Sequence, residues 1–279
     1  MAMFPFWKVT PGGNPTILLK AQDFPRHRRA EVANAVMSPQ HIGGEQVGFV
    51  RLKGTPRLDM MGGEFCLNAT RAFASVLDSL GLLEYDGSIS YGRVEVSGAD
   101  SLIAVRVTHA ENALPFVEAC LHFDELPAPE EKDGIRLVRI PGITHIVQIG
   151  HMPDSRDLSD FCKAQRSAFA LEEQEAVGHL WLSESEKNTE AGTSALVMEP
   201  AVWVRDTRSL CLESACGSGT LACALACHAH SGERQFSILQ PSGTALSVRM
   251  EKADGGWDIW VGGPSRITAS GETDLTGIA

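Results

Sequence analysis

The sequence predicts an α+β fold with mostly antiparallel sheets, arranged as two homologous halves. Many short segments alternate apolar and polar residues, which is typical of strands, and only two segments look like helices rich in small residues. Four short patterns recur in the same order in the two halves of the chain. The 279 residues, of which 43% are hydrophobic, can bury the cores of two domains.

The predicted elements follow from local patterns. Alternation predicts strands at 46–52, 102–108, 136–140, 145–149, 179–182 and 246–250. Small residues with apolar neighbours predict helices at about 68–80 and 219–228. The acidic stretch 124–134 contains two prolines and predicts a linker, and the polar stretch 183–194 predicts an exposed loop.

Four recurring patterns align the two halves, although each pattern alone is weak. Residues 66–74 (Cys-x-x-x-Thr-x-Ala-x-Ala) recur at 216–224, and the Ser-Gly at 97–98 recurs at 242–243. The Val-Gly at 47–48 recurs at 177–178, and residues 13–17 are echoed by 142–146. Because the order is the same on either side of the predicted linker, we predict one domain over residues 1–123 and a second over 124–265.

Composition and charge exclude several classes of protein. The formal net charge is −11, whereas nucleic-acid binding without sequence preference needs a positive surface, so we expect no nucleic-acid partner. No window approaches the roughly 18 apolar residues of a membrane span, and the N-terminus lacks the charged segment of a signal peptide. We therefore expect a cytoplasmic protein with no membrane partner. Seven cysteines without regular spacing indicate free thiols in a reducing compartment.

The sequence predicts neither a metal site nor a cofactor. Cys223, Cys227, His228 and His230 lie along one continuous helical segment, where a closed tetrahedron of four ligands is awkward. No dinucleotide-binding fingerprint, phosphate-binding loop or pyridoxal phosphate signature stands out.

Cys66 and Cys216 are the candidate catalytic residues. Each precedes a predicted helix, whose N-terminal N–H groups and partial positive charge would stabilise a thiolate and lower the thiol pKa. Two thiols that face one α-carbon from opposite sides suit racemisation, in which one removes the α-proton and the other delivers a proton. The alternative is that both are core residues, since cysteine is often fully buried. Glu64 and Glu213, which lie just before them, are interpreted as residues that interact with the helix starts.

These residues resemble the diaminopimelate epimerase family of cofactor-independent, two-thiol racemases. Residues 65–70 (Phe-Cys-Leu-Asn-Ala-Thr) and 214–220 (Ser-Ala-Cys-Gly-Ser-Gly-Thr) are similar to the two cysteine motifs of that family, and the first departs from the motif at Leu67. The resemblance implies two pseudo-symmetric domains, each a barrel-like sheet around a central helix, with the active site between them. It also implies that the last strand, at about 266–279, returns to the first domain.

Within that family, the sequence is most similar to the histidine racemase branch of metallophore biosynthesis. The similarity lies in residues 12–18, 45–49, 63–66 and 213–220. It implies racemisation of histidine by Cys66 and Cys216 without a cofactor, and a homodimer is a further expectation. It also implies that the amino-acid substrate is bound by the residues Asn14, Glu45, Gln46, Leu67, Asn68, Gly217 and Ser218.

Three alternatives stay open. The first alternative is that this protein is a diaminopimelate epimerase or a racemase of another amino acid. Against diaminopimelate, residues 142–145 (Gly-Ile-Thr-His) lack the asparagine that diaminopimelate enzymes use to bind the distal end of the substrate. An isomerase resembling the phenazine-biosynthesis family would use Glu45 for proton transfer, but that family typically lacks the second cysteine. A non-catalytic module would bind an anionic metabolite in the cleft between the domains, or a metal at a Cys/His site.

Overall fold

The structure is a computed structural model that describes residues 3–154, 156–188, 194–205 and 208–278. Its α-helices are α1 (Arg29–Met37), α2 (Leu67–Ser79), α3 (Leu158–Ala168) and α4 (Gly217–Ser231). Its strands are β1 (Met3–Thr10), β2 (Thr16–Lys20), β3 (Gln46–Arg51), β4 (Arg57–Met60), β5 (Glu84–Asp86), β6 (Ile89–Val96), β7 (Ile103–Thr108), β8 (Phe116–Phe123), β9 (Glu130–Lys132), β10 (Ile135–Ile140), β11 (Ile143–Ile149), β12 (Ala176–Asn188), β13 (Ser194–Val204), β14 (Ser209–Leu212), β15 (Gln235–Leu239), β16 (Ala245–Ala253), β17 (Gly256–Pro264) and β18 (Arg266–Asp274).

The chain divides into two compact units. Unit 1 consists of Met1–Leu121 and Gly262–Ala279, and unit 2 consists of His122–Val261. The sequence patterns place these boundaries slightly later, after residues 123 and 265. The C-terminal strand β18 belongs to unit 1, where it pairs antiparallel with β1.

In unit 1, parallel and antiparallel strand pairs alternate along the sheet. β1 and β2 pair antiparallel, β2 and β3 parallel, and β3 and β4 antiparallel. β4 then pairs parallel with β6, which pairs antiparallel with both β5 and β7. Parallel neighbours need a crossover connection, and α1 and α2 lie in the two crossovers.

Unit 2 repeats this plan. β10 and β11 pair antiparallel, β11 and β12 parallel, β12 and β13 antiparallel, and β13 and β15 parallel, with α3 and α4 in the two crossovers. The recurring sequence patterns fall on equivalent elements of the two units. The Val-Gly pairs lie in β3 and β12, and the repeated cysteines directly precede α2 and α4.

α2 and α4 are the central helices of their units. α2 packs against β1, β2, β3, β4, β7 and β18, and every residue from Leu67 to Leu77 is buried. α4 packs against β10, β11, β12, β15 and β16, and its small residues let these strands approach closely. The predicted α+β class, with a sheet around a central helix in each half, is confirmed. Among the helices of the described ranges, none combines the length and the apolar surface that crossing a membrane demands.

Two predictions from local patterns are wrong. The polar stretch 183–194 is predicted as a loop, but β12 continues to Asn188 because it pairs with β13 out to Ser194, and residues 189–193 lie outside the described residues. The stretch 124–134 is predicted as a linker, but it contains the short strand β9, which pairs antiparallel with β10. In both places strand pairing outweighs the polar composition of the segment. The basic cluster at residues 26–29 is typical of a solvated helix start, and α1 begins there at Arg29, whereas the sequence patterns do not predict α3.

Unit 2 contains two fully buried histidines, His145 and His179. Neither ring nitrogen of His145 has a hydrogen-bond partner among the described residues, and burial lowers the pKa of His145 to about 3. His179 contacts Gln165 through Nδ1 at 2.8 Å, and burial together with the nearby charge of Arg166 lowers its pKa to about 3. The folded chain therefore holds both imidazoles neutral in a range of pH where the unfolded chain binds protons.

We expect the free energy of unfolding to fall as the pH drops from about 6.5, the ordinary histidine value, towards 3. Each histidine contributes a slope of up to about 1.4 kcal/mol per pH unit, because the unfolded state binds a proton that the folded state does not. Urea unfolding between neutral pH and about pH 4.5 measures the slope. His145→Leu should reduce the change in the free energy of unfolding per pH unit. An unchanged slope in this variant would show that His145 titrates normally in the folded chain.

Candidate active site

Cys66 caps the N-terminus of α2 in unit 1. Its backbone is extended (φ −134°, ψ 112°), and its Sγ accepts the N–H of Ala69 at 3.4 Å. Its carbonyl oxygen accepts the Thr70 hydroxyl at 2.8 Å. A serine or aspartate oxygen usually occupies such a position. The cysteine therefore places a half-buried sulfur at the partly positive end of a helix.

A chain of hydrogen bonds joins Cys66 to the loop before β2. The Cys66 thiol donates to Gln46 Oε1 at 3.2 Å, and Gln46 Nε2 donates to Thr16 Oγ1 at 2.6 Å. The Thr16 hydroxyl in turn donates to the carbonyl oxygen of Asn14 at 3.1 Å. Asn14 is buried in a tight turn after two glycines with φ values of 85° and 127°, which glycine adopts without strain. The structure thus brings three of the predicted site residues together.

The first turn of α2 holds Leu67 and Asn68, which are each 2% exposed. The Leu67 side chain belongs to the core of unit 1, so its backbone N–H is the group that can serve a ligand. Asn68 Oδ1 accepts from Arg71 Nη1 at 3.4 Å. Glu45 precedes β3 and is exposed, with its backbone N–H donating to the Pro15 carbonyl at 2.8 Å.

Cys216 occupies the equivalent position in unit 2, as the N-cap of α4. Its backbone is again extended (φ −131°, ψ 106°), and its Sγ accepts the N–H of Gly219 at 3.3 Å. Ser218 Oγ lies 3.5 Å from the same sulfur. Gly217 is buried at the first position of the helix, and Ser218 is half-buried at the second. All three predicted site residues of unit 2 therefore lie in one helix turn.

The Cys216 thiol lies in an environment that favours its protonated form. The Cys216 side chain is 4% exposed, and its pKa is raised well above the ordinary value. Burial is the largest cause, and the negative charge of Glu213 and a hydrogen bond to its carboxylate add to it. The Ser218 hydroxyl and the Gly219 N–H act in the opposite direction but do not outweigh burial. The expectation that a helix N-terminus lowers the thiol pKa is therefore wrong for Cys216, because desolvation of the thiolate is the larger effect.

Gln240 holds the segment around Cys216 in place. Its Oε1 accepts the backbone N–H of Cys216 at 3.0 Å, and its Nε2 donates to the Thr220 hydroxyl at 3.2 Å. Thr220 donates to the Cys216 carbonyl at 2.6 Å, as Thr70 does to Cys66. The repeated Cys-x-x-x-Thr pattern therefore has a structural cause, since the threonine closes the first turn of each central helix.

A cavity of about 560 Å³ lies within unit 2 beside Glu213. Its lining combines apolar groups such as Met152 and Met198 with the carboxylates of Glu184 and Glu199. The Glu199 carboxylate accepts the Met152 N–H at 3.1 Å. The cavity thus offers apolar walls and hydrogen-bond acceptors next to the acid that contacts the Cys216 thiol.

Sequence reasoning missed Arg71, Thr16 and Gln240. Arg71 carried a signal, since it is the only charged residue among the buried positions of α2. Thr16 lies within the stretch 12–18 that resembles the histidine racemase branch, whereas Gln240 lies in no recognised motif. Their contacts with residues far along the chain depend on strand pairing. A larger cavity of about 690 Å³ in unit 1, lined by residues of β1 and β18, contains none of the predicted site residues.

A family model described as the histidine racemase CntK N-terminal domain matches residues 3–273. The chain is 29% identical over 277 residues to a histidine racemase of Fusobacterium nucleatum subsp. nucleatum, and the match covers 96% of this chain and 95% of that protein. This likeness therefore extends over both units.

Solved structures with the same fold include a hydroxyproline epimerase and a protein of the PhzF family. A hydroxyproline epimerase from Agrobacterium vitis matches with a TM-score of 0.62 and 12% identity, over 98% of this chain and 91% of that one. A protein of the phenazine biosynthesis PhzF family from Bacillus anthracis matches with a TM-score of 0.65 and 12% identity, over 99% and 100% of the two chains. Identities this low show the shared fold and leave the chemistry to the residues of the site.

Proposed function

We propose that this chain, which belongs to the histidine racemase CntK N-terminal domain family and is an amino-acid racemase, interconverts L- and D-histidine with Cys66 and Cys216 as acid and base. The observation that carries the proposal is the repeated capping cysteine. Each unit presents one sulfur at the N-terminus of its central helix, and the helix turn that follows is held by a matching threonine.

Racemisation by this pair of thiols conserves protons and charge. One cysteine, as a thiolate, takes the α-proton and becomes a thiol, while the substrate becomes a carbanion. The other cysteine, as a thiol, gives its proton to the opposite face of the same carbon and becomes a thiolate. The enzyme therefore ends each turnover with the two protonation states exchanged.

Two helix N-termini support the difficult step. The α-proton of an amino acid is weakly acidic because the adjacent carboxylate is already negative. N–H groups in the first turns of α2 and α4, at Leu67, Asn68, Gly217 and Ser218, would hold that carboxylate and stabilise the charge that develops on it. Asn14 and Gln46, which connect to Cys66 through hydrogen bonds, would orient the substrate on the unit 1 side.

The cavity beside Glu213 suits the imidazole side chain of histidine. Met152 and Leu212 provide an apolar surface for the ring, and the carboxylates of the cavity accept hydrogen bonds from ring N–H groups. Diaminopimelate instead ends in an ammonium and a carboxylate, and the acidic lining would repel that carboxylate. The composition of the cavity therefore favours histidine over diaminopimelate.

We expect Glu199→Gln to raise the KM for histidine roughly tenfold, because a charge-assisted hydrogen bond to the imidazole is worth about 1–2 kcal/mol. The kcat should change much less, since Glu199 contacts the side chain and not the reacting carbon. Steady-state kinetics in both directions measure both constants. A loss of kcat at constant KM would contradict this role.

Circular dichroism tests the proposed substrate directly. An incubation of L-histidine with the purified chain, without added pyridoxal phosphate or metal, should lose its signal as the racemic mixture forms. The same assay with LL-diaminopimelate and with L-alanine should show turnover at least about a hundredfold slower, given the discrimination that buried hydrogen bonds provide. Turnover of diaminopimelate with none of histidine would contradict the proposal.

A further inference from the structure

The two capping cysteines have opposite electrostatic surroundings. Cys66 is half-buried and lies near a buried cation, Arg71. Cys216 is buried and contacts the carboxylate of Glu213. A cation stabilises a thiolate and a carboxylate destabilises one. The acceptor of the Cys66 thiol, the Gln46 amide oxygen, is uncharged, so it opposes a thiolate less than the Glu213 carboxylate does at Cys216. These differences favour a thiolate at Cys66 over one at Cys216.

The cation beside Cys66 is built into the core of unit 1. Arg71 is fully buried, and because helical side chains point back towards the N-terminus, its guanidinium reaches the level of Asn68. Its hydrogen bonds run to uncharged oxygens, which belong to Asn68 and to the carbonyls of Pro11, Val117 and Pro264. Burial lowers the pKa of Arg71 to about 10, and the attraction of Glu118 and of Cys66 opposes this. Arg71 therefore stays charged at neutral pH, within electrostatic reach of the Cys66 sulfur.

The buried acid Glu118 also lies near Arg71 and attracts it more strongly than Cys66 does. Glu118 on β8 is buried, but it also forms an ion pair with Arg106 at 3.8 Å, so its charge is shared between two arginines. Glu45, which precedes β3, is exposed and screened by solvent. Glu64 lies two residues before Cys66, and burial of its carboxyl group raises its pKa.

At Cys216 the nearby charge is negative and favours the protonated thiol. Glu213 lies three residues before the cysteine, and its carboxylate accepts the thiol proton as a hydrogen bond. The Ser218 hydroxyl and the Gly219 N–H are the groups that would support a thiolate there, and both are uncharged. A thiolate at this position would face a carboxylate in a buried environment, which is costly.

We propose that the resting enzyme carries its thiolate on Cys66 and its proton on Cys216, and that Arg71 and Glu213 are the positioning residues that set this order. The inference rests on the proposed two-thiol mechanism and adds to it the identity of the base in the empty enzyme. The enantiomer whose α-proton faces Cys66 then meets an enzyme ready to react. The other enantiomer requires the two protonation states to be exchanged first.

Alkylation of the thiols tests this without any substrate. The rates of iodoacetamide labelling at Cys66 and Cys216 are followed by peptide mass spectrometry over a range of pH, because only the thiolate reacts. For each cysteine, the pH at which the labelling rate is half its maximum is the midpoint. In the wild-type chain, the midpoint of Cys66 should lie at least about one pH unit below that of Cys216. Comparing midpoints, instead of single rates, separates thiolate formation from simple exposure of the sulfur.

Three variants assign the cause. Arg71→Met should raise the midpoint of Cys66 by about one pH unit. Arg71→Lys keeps the positive charge, so the midpoint of Cys66 in that variant should stay close to the wild-type value. Glu213→Gln should lower the midpoint of Cys216 and leave that of Cys66 unchanged. Far-ultraviolet circular dichroism identifies any variant that fails to fold. If Arg71→Met does not fold, Arg71→Lys and Glu213→Gln still decide the outcome.

A lower midpoint for Cys216 than for Cys66 in the wild-type chain would overturn the proposal. So would a folded Glu213→Gln variant in which the midpoint of Cys216 is unchanged. These outcomes are independent of the substrate, so they are distinguishable from a failure of histidine racemisation, which only the activity assays report.

Discussion

Cys66→Ser and Cys216→Ser should each lower the rate of racemisation by about a thousandfold or more. A serine hydroxyl is a far weaker acid than a thiol, so it neither forms the base nor delivers the proton at neutral pH. Because inversion needs an acid on one face and a base on the other, the loss of either cysteine stops the whole reaction. The decay of the circular dichroism signal of L-histidine and of D-histidine measures the effect in both directions.

Cys211→Ser is the matched control for these variants. Cys211 lies exposed on β14, so the same substitution there should leave activity and stability near those of the wild-type chain. The double variant Cys66→Ser/Cys216→Ser should have an activity only slightly lower than that of either single variant, because the effects of substituting residues that act as a unit are not additive. Full activity in Cys216→Ser would contradict the two-thiol mechanism and favour a single acid/base, such as Glu45.

Gly178→Ala should destabilise the protein by about 3 kcal/mol, which is a large effect for one methyl group. Gly178 lies in β12 opposite His145 of β11, and an added Cβ would overlap Nδ1 of His145 and lie 2.6 Å from its Cε1. The imidazole is fully buried and cannot move aside without disturbing the core. Urea unfolding of the variant and of the wild-type chain measures the difference in free energy.

A double-mutant cycle identifies the cause of that loss. His145→Ala removes the ring that the new methyl group would meet, so the alanine at position 178 should cost much less in the His145→Ala background. Equal costs in the two backgrounds would show that the glycine is needed for its backbone conformation and not for close packing. Gly48, the equivalent residue of β3, offers a comparison, since a Cβ there would overlap the flexible side chain of Leu58.

The repeated patterns explain why the central helices could be predicted. Cys66 and Cys216 start α2 and α4, and the threonine four residues later bonds the cysteine carbonyl in both units. The conserved spacing within one chain therefore reflects one structural requirement met twice. The Val-Gly pairs in β3 and β12 similarly reflect close packing of the glycine against side chains of neighbouring strands, which a short local pattern can record.

Other features could not be predicted from local patterns. The end of β12 depends on its long pairing with β13, and its sequence beyond residue 182 is polar throughout. The raised pKa of Cys216 depends on burial among residues far along the chain, whereas the helix N-terminus that favours a thiolate is visible in the sequence. Gln240, which holds the Cys216 backbone, follows β15 and carries no motif of its own.

The most direct test of two-thiol racemisation of histidine is an incubation of L-histidine in deuterium oxide, followed by proton NMR and separation of the enantiomers. In the proposed mechanism Cys66 and Cys216 act on opposite faces, so the D-histidine formed in the first turnovers should carry deuterium at the α-carbon, while the remaining L-histidine keeps its α-proton. D-histidine that retains protium, or L-histidine that gains deuterium before any D-histidine forms, would instead indicate a single base and contradict the mechanism.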